Sequence, residues 1–359
     1  MRAPILAALV LAAACGDAAP PGFSTGPAIT SVSASTSGSS STGDTSSTGL
    51  ADDSAGNSGS SSTGIVRDVG TAMDFGPVQP PGCKGKVDLL FVIARQSTMV
   101  TEQTQLLASF PGFVDTIQEK LADFDVHIMA ANPDGKWPGW VCEKLCKEPP
   151  ELNCDEDGYI CNDLAWDVTP CDETLGAGLI FNAGAGAANR HCELYGGNRY
   201  IVSGEPDMDD ALECIAKVGW SGNNSIGDAV IAAVKPTINA DGGCNAGFLR
   251  DDALLVVVMI ADSADGTSKS TPSEQYDAVV AAKGGDPGAV VVLHVTARKD
   301  TGEPHEPGCS YQSPLNTLRQ FSMMFPYHLY GDTCAPSYAP FFDAATDLIG
   351  EACSSFIPG

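Results

Sequence analysis

Seven consecutive apolar residues, Leu254-Leu255-Val256-Val257-Val258-Met259-Ile260, limit the fold more than any other feature of this chain. A strand with no polar alternation must be covered on both faces, as central strands of parallel sheets are. Val87-Asp88-Leu89-Leu90-Phe91-Val92-Ile93 repeats the pattern, and Val126 to Ala130 and Val290 to Val295 read as further strands. Shorter strands are expected near Tyr200-Ile201-Val202 and over His328 to Tyr330. Between them the apolar spacing turns helical. Leu106, Leu107, Phe110, Phe113, Val114, Ile117 and Leu121 share one face, with Pro111-Gly112 expected to break or kink that helix. Helices are also predicted over Met208 to Val218, Ser225 to Val234, Ser273 to Ala282 and Leu315 to Met324, with a last amphipathic one around Phe341 to Ile349. Strands alternating with helices predict an α/β fold: a doubly wound, mostly parallel central sheet flanked by helices.

The amino terminus places this fold outside the cytoplasm. Met1-Arg2 precedes an apolar run from Ile5 to Ala14, too short to span a bilayer as a mature helix, and the run ends at Cys15. Ala12-Ala13-Ala14-Cys15 resembles a bacterial lipobox, in which the cysteine is acylated, palmitate being a typical chain, and becomes the new terminus. It also fits ordinary signal peptidase, which leaves a secreted protein as the alternative. Residues 1–15 are therefore read as a lipoprotein signal peptide ending at lipidated Cys15. Several acyl chains on one cysteine anchor stably where one chain is marginal. Residues 16–82 are rich in Ser, Thr and Gly, with too few apolar groups for a core, and are expected to form a disordered tether. Such a linker holds its cargo on the order of 45 Å from the anchor on average. The remainder, 83–359, is the globular domain, with a cysteine-rich loop insertion at about 132–198.

The chain has 13 cysteines, and setting Cys15 aside leaves an even number. Structural zinc sites use paired CxxC or CxxC…HxxxH spacing, which is missing here, so an exported chain favours disulfides. Net charge is −26. That excludes nucleic acid, whose affinity comes from Lys and Arg on phosphates, and direct attraction to anionic lipid. Contact with the membrane is then expected through the lipid anchor only, in the cell envelope and most simply the outer membrane.

In open α/β sheets ligands bind beyond the carboxyl ends of the strands. The segments there are Ala94-Arg95-Gln96-Ser97-Thr98-Met99, Asn223-Asn224-Ser225-Ile226-Gly227-Asp228 and Ala261-Asp262-Ser263-Ala264-Asp265-Gly266. With the strands before them, these segments resemble the von Willebrand factor type A domain, and in particular the cysteine-rich bacterial lipoproteins of that family. The resemblance covers most of Cys83 to Cys353. It implies a metal-ion-dependent adhesion site, built from an Asp-x-Ser-x-Ser loop, a Thr and an Asp, which hold Mg²⁺ and leave a position for a partner's carboxylate. Carried over, the first Asp falls on Ala94, the serines on Gln96 and Thr98, the Thr on Asn224 or Ser225, and the last Asp on Asp262. Only Asp262 is unchanged, so the site is read as degenerate. Arg95 beside it would repel a cation, or would itself receive a partner's carboxylate. The resemblance also implies a Cys83–Cys353 bridge joining the domain's ends. Cys214–Cys244 and Cys309–Cys334 are further expected pairs, with the six insertion cysteines pairing among themselves.

Other chemistry is weaker. Asn153, Asp155 and Asp157 alternate ahead of Gly158 like the start of a calcium loop, but counting from Asn153 puts Leu164 at the twelfth position, where an EF-hand needs Glu. Gly219-Trp220-Ser221-Gly222-Asn223 lacks the last Gly of a nucleophile elbow. His127 and His294 lie within strands and read as core or edge residues. Trp137, Trp140 and Trp166 read as the insertion's small core, with binding anchors as the alternative. The expectation is a non-enzymatic envelope lipoprotein that binds a protein or glycan partner without a cofactor. The alternatives are an adhesin that depends on Mg²⁺ or Ca²⁺ and, behind it, a secreted hydrolase.

Overall fold

The computed structural model describes residues 83, 85–137, 167–296 and 316–356. Its strands are β1 (Lys86–Ile93), β2 (Asp125–Ala130), β3 (Phe181–Asn182), β4 (Arg190–His191), β5 (Ile201–Val202), β6 (Leu254–Ile260), β7 (Val290–Thr296) and β8 (Tyr327–Asp332). Six of them form one sheet in the order β5-β2-β1-β6-β7-β8, parallel throughout except for the antiparallel edge strand β5. Counted along the sheet's own strands this is the doubly wound order 3-2-1-4-5-6, whose ligand crevice opens where the order reverses, beside β1. β6 and β7 are buried along their whole length, and β1 from Val87 onward, as their unbroken apolar sequences require.

The longer helices are α1 (Val100–Lys120), α2 (Met208–Ala216), α3 (Ile226–Ala233), the single turn α4 (Pro236–Asn239), α5 (Pro272–Ala282), α6 (Thr317–Ser322) and α7 (Ala339–Ser355). α1 packs with α2 and α7, while α5 packs with α3 and α6, so two helical layers cover the sheet. Rings interlock beneath α1: Phe91 lies edge-on to Phe110 and Phe113, and Phe113 meets Phe342 of α7 at 4.3 Å.

The expected break at Pro111 does not occur; α1 runs through it. Phe113, Val114 and Ile117 beyond the proline are buried on the same face as Leu106 and Phe110 before it. A proline inside a helix costs roughly 3 kcal/mol. Burying each of those large side chains contributes about 1.5–3 kcal/mol, so packing outweighs the local penalty.

Three disulfides join described residues. Cys83 is bonded to Cys353, joining the start of β1 to the last helix across a sequence separation of 270. The expected Cys214–Cys244 pair is corrected: Cys214 is bonded to Cys192, and Cys244 to Cys171. The insertion cysteines therefore do not pair only among themselves. The reason is geometric: a bridge forms between cysteines whose Cα atoms lie about 4.4–6.8 Å apart. The insertion's return path runs against the main fold, Gly178 bridging to Ala131 and Leu179 entering the main core. That brings Cys171 and Cys192 within 5.5 and 5.7 Å of Cys244 and Cys214. Cys334 is disulfide-bonded too; Cys309, its expected partner, lies outside the described residues, as do Cys15, Asp155, Asp157, Trp140 and Trp166. Trp137 packs with Phe181 and Ala183 in a small satellite core.

At the amino end of the sheet Arg250 clamps the strands. Its backbone N–H and its Nε donate to the two oxygens of the buried Asp88, each at 2.8 Å, and Nη1 donates to Asp125 at 2.6 Å. Lys283 Nζ donates to the Arg250 carbonyl at 2.6 Å.

Candidate functional site

Three loops meet beyond the carboxyl ends of β1 and β6. The first follows β1. Ala94 is fully buried; its N–H donates to the Ile260 carbonyl at 2.9 Å. Gln103 of α1 donates from Nε2 to the Ala94 carbonyl at 2.9 Å and to the Gly219 carbonyl at 2.7 Å, which ties the first loop to the chain before the second. The second loop, 222–225, is held by its own backbone. Gly222 N–H donates to the Arg95 carbonyl at 2.8 Å and Ser225 N–H to the Pro133 carbonyl at 3.0 Å. A side chain at Gly222 would collide with Asp134 and Arg95, so this close approach requires glycine.

The third loop follows β6 and is pinned to α3 from both sides. Asp265 accepts from the Gly227 N–H at 2.7 Å, while Asp228 accepts from the Lys269 and Ser270 N–H groups at 2.9 and 3.0 Å. Thr267 Oγ1 bonds the Asn224 carbonyl and lies 3.0 Å from Ser225 Oγ. Ser263 Oγ donates to Gln96 Oε1 at 2.7 Å, and the Asp262 N–H points at Met99 Sδ at 3.3 Å. The three loops singled out in the sequence therefore touch. Gln96 reaches the residue after Asp262, and Asn224 and Ser225 reach the same loop through Thr267. Thr98 is exposed at the rim.

Arg95 departs from both roles expected of it. It is 1% exposed, and Nη1 faces Asp134 Oδ1 at 3.4 Å and the Lys136 carbonyl at 3.2 Å. A guanidinium that is buried and paired cannot receive a partner's carboxylate. Its charge is also largely neutralised towards the site by Asp134. Asp134, which accepts from the Asn223 N–H at 2.9 Å as well, was not singled out by the sequence. Only the turn signal Asn132-Pro133-Asp134-Gly135 marks its neighbourhood.

This end holds a set of buried polar atoms without protein partners. Asp262 is 5% exposed and its Oδ1 has no hydrogen-bond partner; Asn224 is fully buried and neither amide atom has one. Glu102, half-buried in the first turn of α1, leaves Oε2 unpartnered. Its carboxyl is held above the usual range by burial and, less strongly, by the Asp262 charge. Burial pushes the Tyr338 hydroxyl up as well, and the charges of Glu102, Asp332 and Asp262 add to the effect. Glu102 carries no signal in the sequence: it is the one acid in the first turn of α1, where a solvated helix acid is ordinary.

The resemblance implies a hard divalent ion, which asks for six or more oxygen ligands. Ala94 offers none, Gln96 Oε1 is already engaged by Ser263, and Asn224 supplies only a neutral amide. Among the described residues no three His, Cys, Asp or Glu side chains lie close enough to share an ion. These residues do not fit Mg²⁺. His127 is bonded through Nδ1 to the Phe248 carbonyl at 3.0 Å, while His294 is fully buried with neither ring nitrogen partnered.

No family model matches the chain, and no curated protein matches it. Solved structures similar to it include three of proximal thread matrix protein 1 from the mussel byssus. One, in a second crystal form, is 10% identical over 76% of this chain and 47% of that one, with a TM-score of 0.33. Another is 11% identical over 74% and 47%, TM-score 0.35. A third, in which that protein's MIDAS motif is occupied by zinc, is 12% identical over 76% and 47%, TM-score 0.34. The chain thus spans about half the length of these structures. The α/β assignment rests on the strand order above, not on these likenesses.

Proposed function

We propose that this chain is an exported, lipid-anchored envelope protein that displays a von Willebrand A-like binding domain and engages a protein or glycan partner without a metal ion. The contact surface is the carboxyl end of the sheet. The observation that carries this reading is the contrast within that end: a rigid frame of cross-pinned loops surrounds buried polar atoms that the protein itself leaves unpaired. Buried polar groups are almost always bonded, and leaving one unmade costs about 1–3 kcal/mol. Such a cost kept beside three pinned loops is what a preorganised recognition site needs. Export and anchoring rest on the first residues and Cys15.

The test is photo-cross-linking in cells that make the protein, with probes at Thr98 and Ser263 and control probes at Asp252, at the opposite end. The expected outcome is one discrete adduct from Thr98 and Ser263, none from Asp252, and no change with a chelator present. Equal labelling from Asp252 would sink the surface assignment, and loss of the adduct on chelation would sink metal independence. Anchoring is checked separately: Cys15→Ser should release the protein from membranes, and retention would contradict it.

A further inference from the structure

We infer that residues Thr71–Phe75, which precede the domain, dock as an added strand on the outer edge of β8, antiparallel to it, in the groove between that edge and α7. The inference goes beyond the binding role of the carboxyl end and concerns a different face of the domain.

The two edges of the sheet are unlike. β5 is two residues long, a blunt end that offers little to pair with. β8 has six residues, all half-buried, with Tyr327, Leu329 and Tyr330 among them. It contains neither Pro nor Lys, the residues that blunt an exposed edge. Among the described residues it pairs only with β7. The Thr333 N–H donates to the Thr296 carbonyl of β7 at 3.0 Å. Backbone groups alternate in direction along a strand, so the N–H and C=O of His328 and Tyr330 turn outward. A groove of about 850 Å³ follows this edge, with Pro340, Phe341 and Ala344 of α7 along one wall. Phe341 lies over Gly331, where any side chain would strike its ring, so the apolar wall stands on the α7 side of the edge.

The occupant follows from where the chain enters the domain. Cys83 is bridged to Cys353 of α7, the helix that walls the groove, with Cα atoms 5.0 Å apart. From Cys353 back to Phe341 is about 18 Å along the helix axis. Pro77, Pro80 and Pro81 lie between Phe75 and Cys83 and favour an extended run, which covers about 25 Å over that stretch. Phe75 can therefore reach the groove and little further. Upstream of this spacer Thr71-Ala72-Met73-Asp74-Phe75 alternates, with Met73 and Phe75 on one side and Asp74 on the other. That is the pattern of a strand with one buried face. It needs no core of its own, because α7 supplies the apolar wall. α7 runs from the carboxyl end of β8 back to Cys353, so a chain passing from the groove to Cys83 travels against β8. Being joined to the domain by a short linker, the segment meets the groove at an effective concentration on the order of millimolar.

The test is residue-resolved amide hydrogen exchange on the full oxidised chain. The expected result is slow exchange at His328 and Tyr330, as at Leu329 and Gly331, whose N–H groups face β7. Changing Met73→Asp and Phe75→Asp together should speed exchange at His328 and Tyr330 by about tenfold or more and leave Leu329 and Gly331 unmoved. Those two unmoved amides also show that the variant is folded. Fast exchange at His328 and Tyr330 in the unaltered chain would overturn the inference. Protection that fades on dilution would give the edge to a second copy of the chain. Protection that survives both changes at every dilution would give it to another segment, such as the one around Cys309. Either of these results overturns the inference as well.

Discussion

At the amino end of the sheet, Asp88 is fully buried and both of its oxygens accept from Arg250. At the carboxyl end, Asp262 is nearly as buried and its Oδ1 accepts from nothing. Each end also holds one largely buried arginine. Arg250 makes short bonds to Asp88, Asp125 and backbone carbonyls, while Arg95 makes one long contact to Asp134 and leaves Nε unpartnered. The same residue types thus close one end and leave the other unfinished. A closed network holds the strands together; an unfinished one keeps its hydrogen-bonding capacity for a partner. Changes at the amino end should therefore cost stability, and changes at the carboxyl end should cost binding.

The largest effect is expected where the amino end is closed covalently. Replacing Cys83 and Cys353 together by Ala opens a loop of 270 residues and should lower unfolding stability by about 5 kcal/mol, measured by urea titration. A loss below about 1 kcal/mol would mean that the unfolded chain is already compact there. Next, Arg250→Met strands the Asp88 carboxylate and should cost about 3–5 kcal/mol. Adding Asp88→Asn to it should restore part of that loss. If the double change is as unstable as the single, the clamp works through packing and not charge.

His294, in the carboxyl half of β7 opposite Met259, sharpens the comparison through pH. Burial without a partner holds its pKa down to about 3, against 6.5 in the unfolded chain. The unfolded state therefore binds the extra proton first. Stability from this group is complete above about pH 6.5 and falls as pH drops towards 3, by roughly 1.4 kcal/mol per unit. Asp88 runs the other way: burial outweighs Arg250 and raises it to about 6, so its contribution improves as pH falls through that value. His294→Leu should flatten the acid limb of stability against pH and raise the melting temperature at neutral pH. An unchanged acid limb would contradict a neutral, unpartnered His294. The smallest effect belongs to the carboxyl end. Asp262→Asn should leave stability unchanged or raise it by up to about 1 kcal/mol, since it removes an unpaired buried charge.

Much of this fold was legible because burial on both faces writes itself as unbroken apolar sequence. β1, β6 and β7 lie where their runs predict, and the predicted helices α2, α3 and α5 end within a residue or two of expectation. The error at Pro111 came from weighing a local preference without the aromatic packing that overrides it. The two-residue strands β3 and β4 are too short to show a period. At the site, the three loops could be found because each follows a strand or opens a helix. What they do with their side chains could not. Arg95 looks like a free charge in sequence and is buried against Asp134, 39 positions away. Glu102 looks like a solvated helix acid, yet burial and, less strongly, the Asp262 charge hold its carboxyl above the usual range. The pairings of Cys171 and Cys192 were missed for the same reason: spacing along the chain does not report which segments fold back onto one another.

The most direct test of metal-independent binding at the carboxyl end is a titration of Mg²⁺, Mn²⁺ and Ca²⁺ into the full, oxidised, metal-stripped chain, following heat and melting temperature together. The account predicts no saturable heat and no rise in melting temperature. A stabilising site that Asp262→Ala abolishes would contradict it, and would show that the fold holds its ion without the carboxylate that Ala94 replaces.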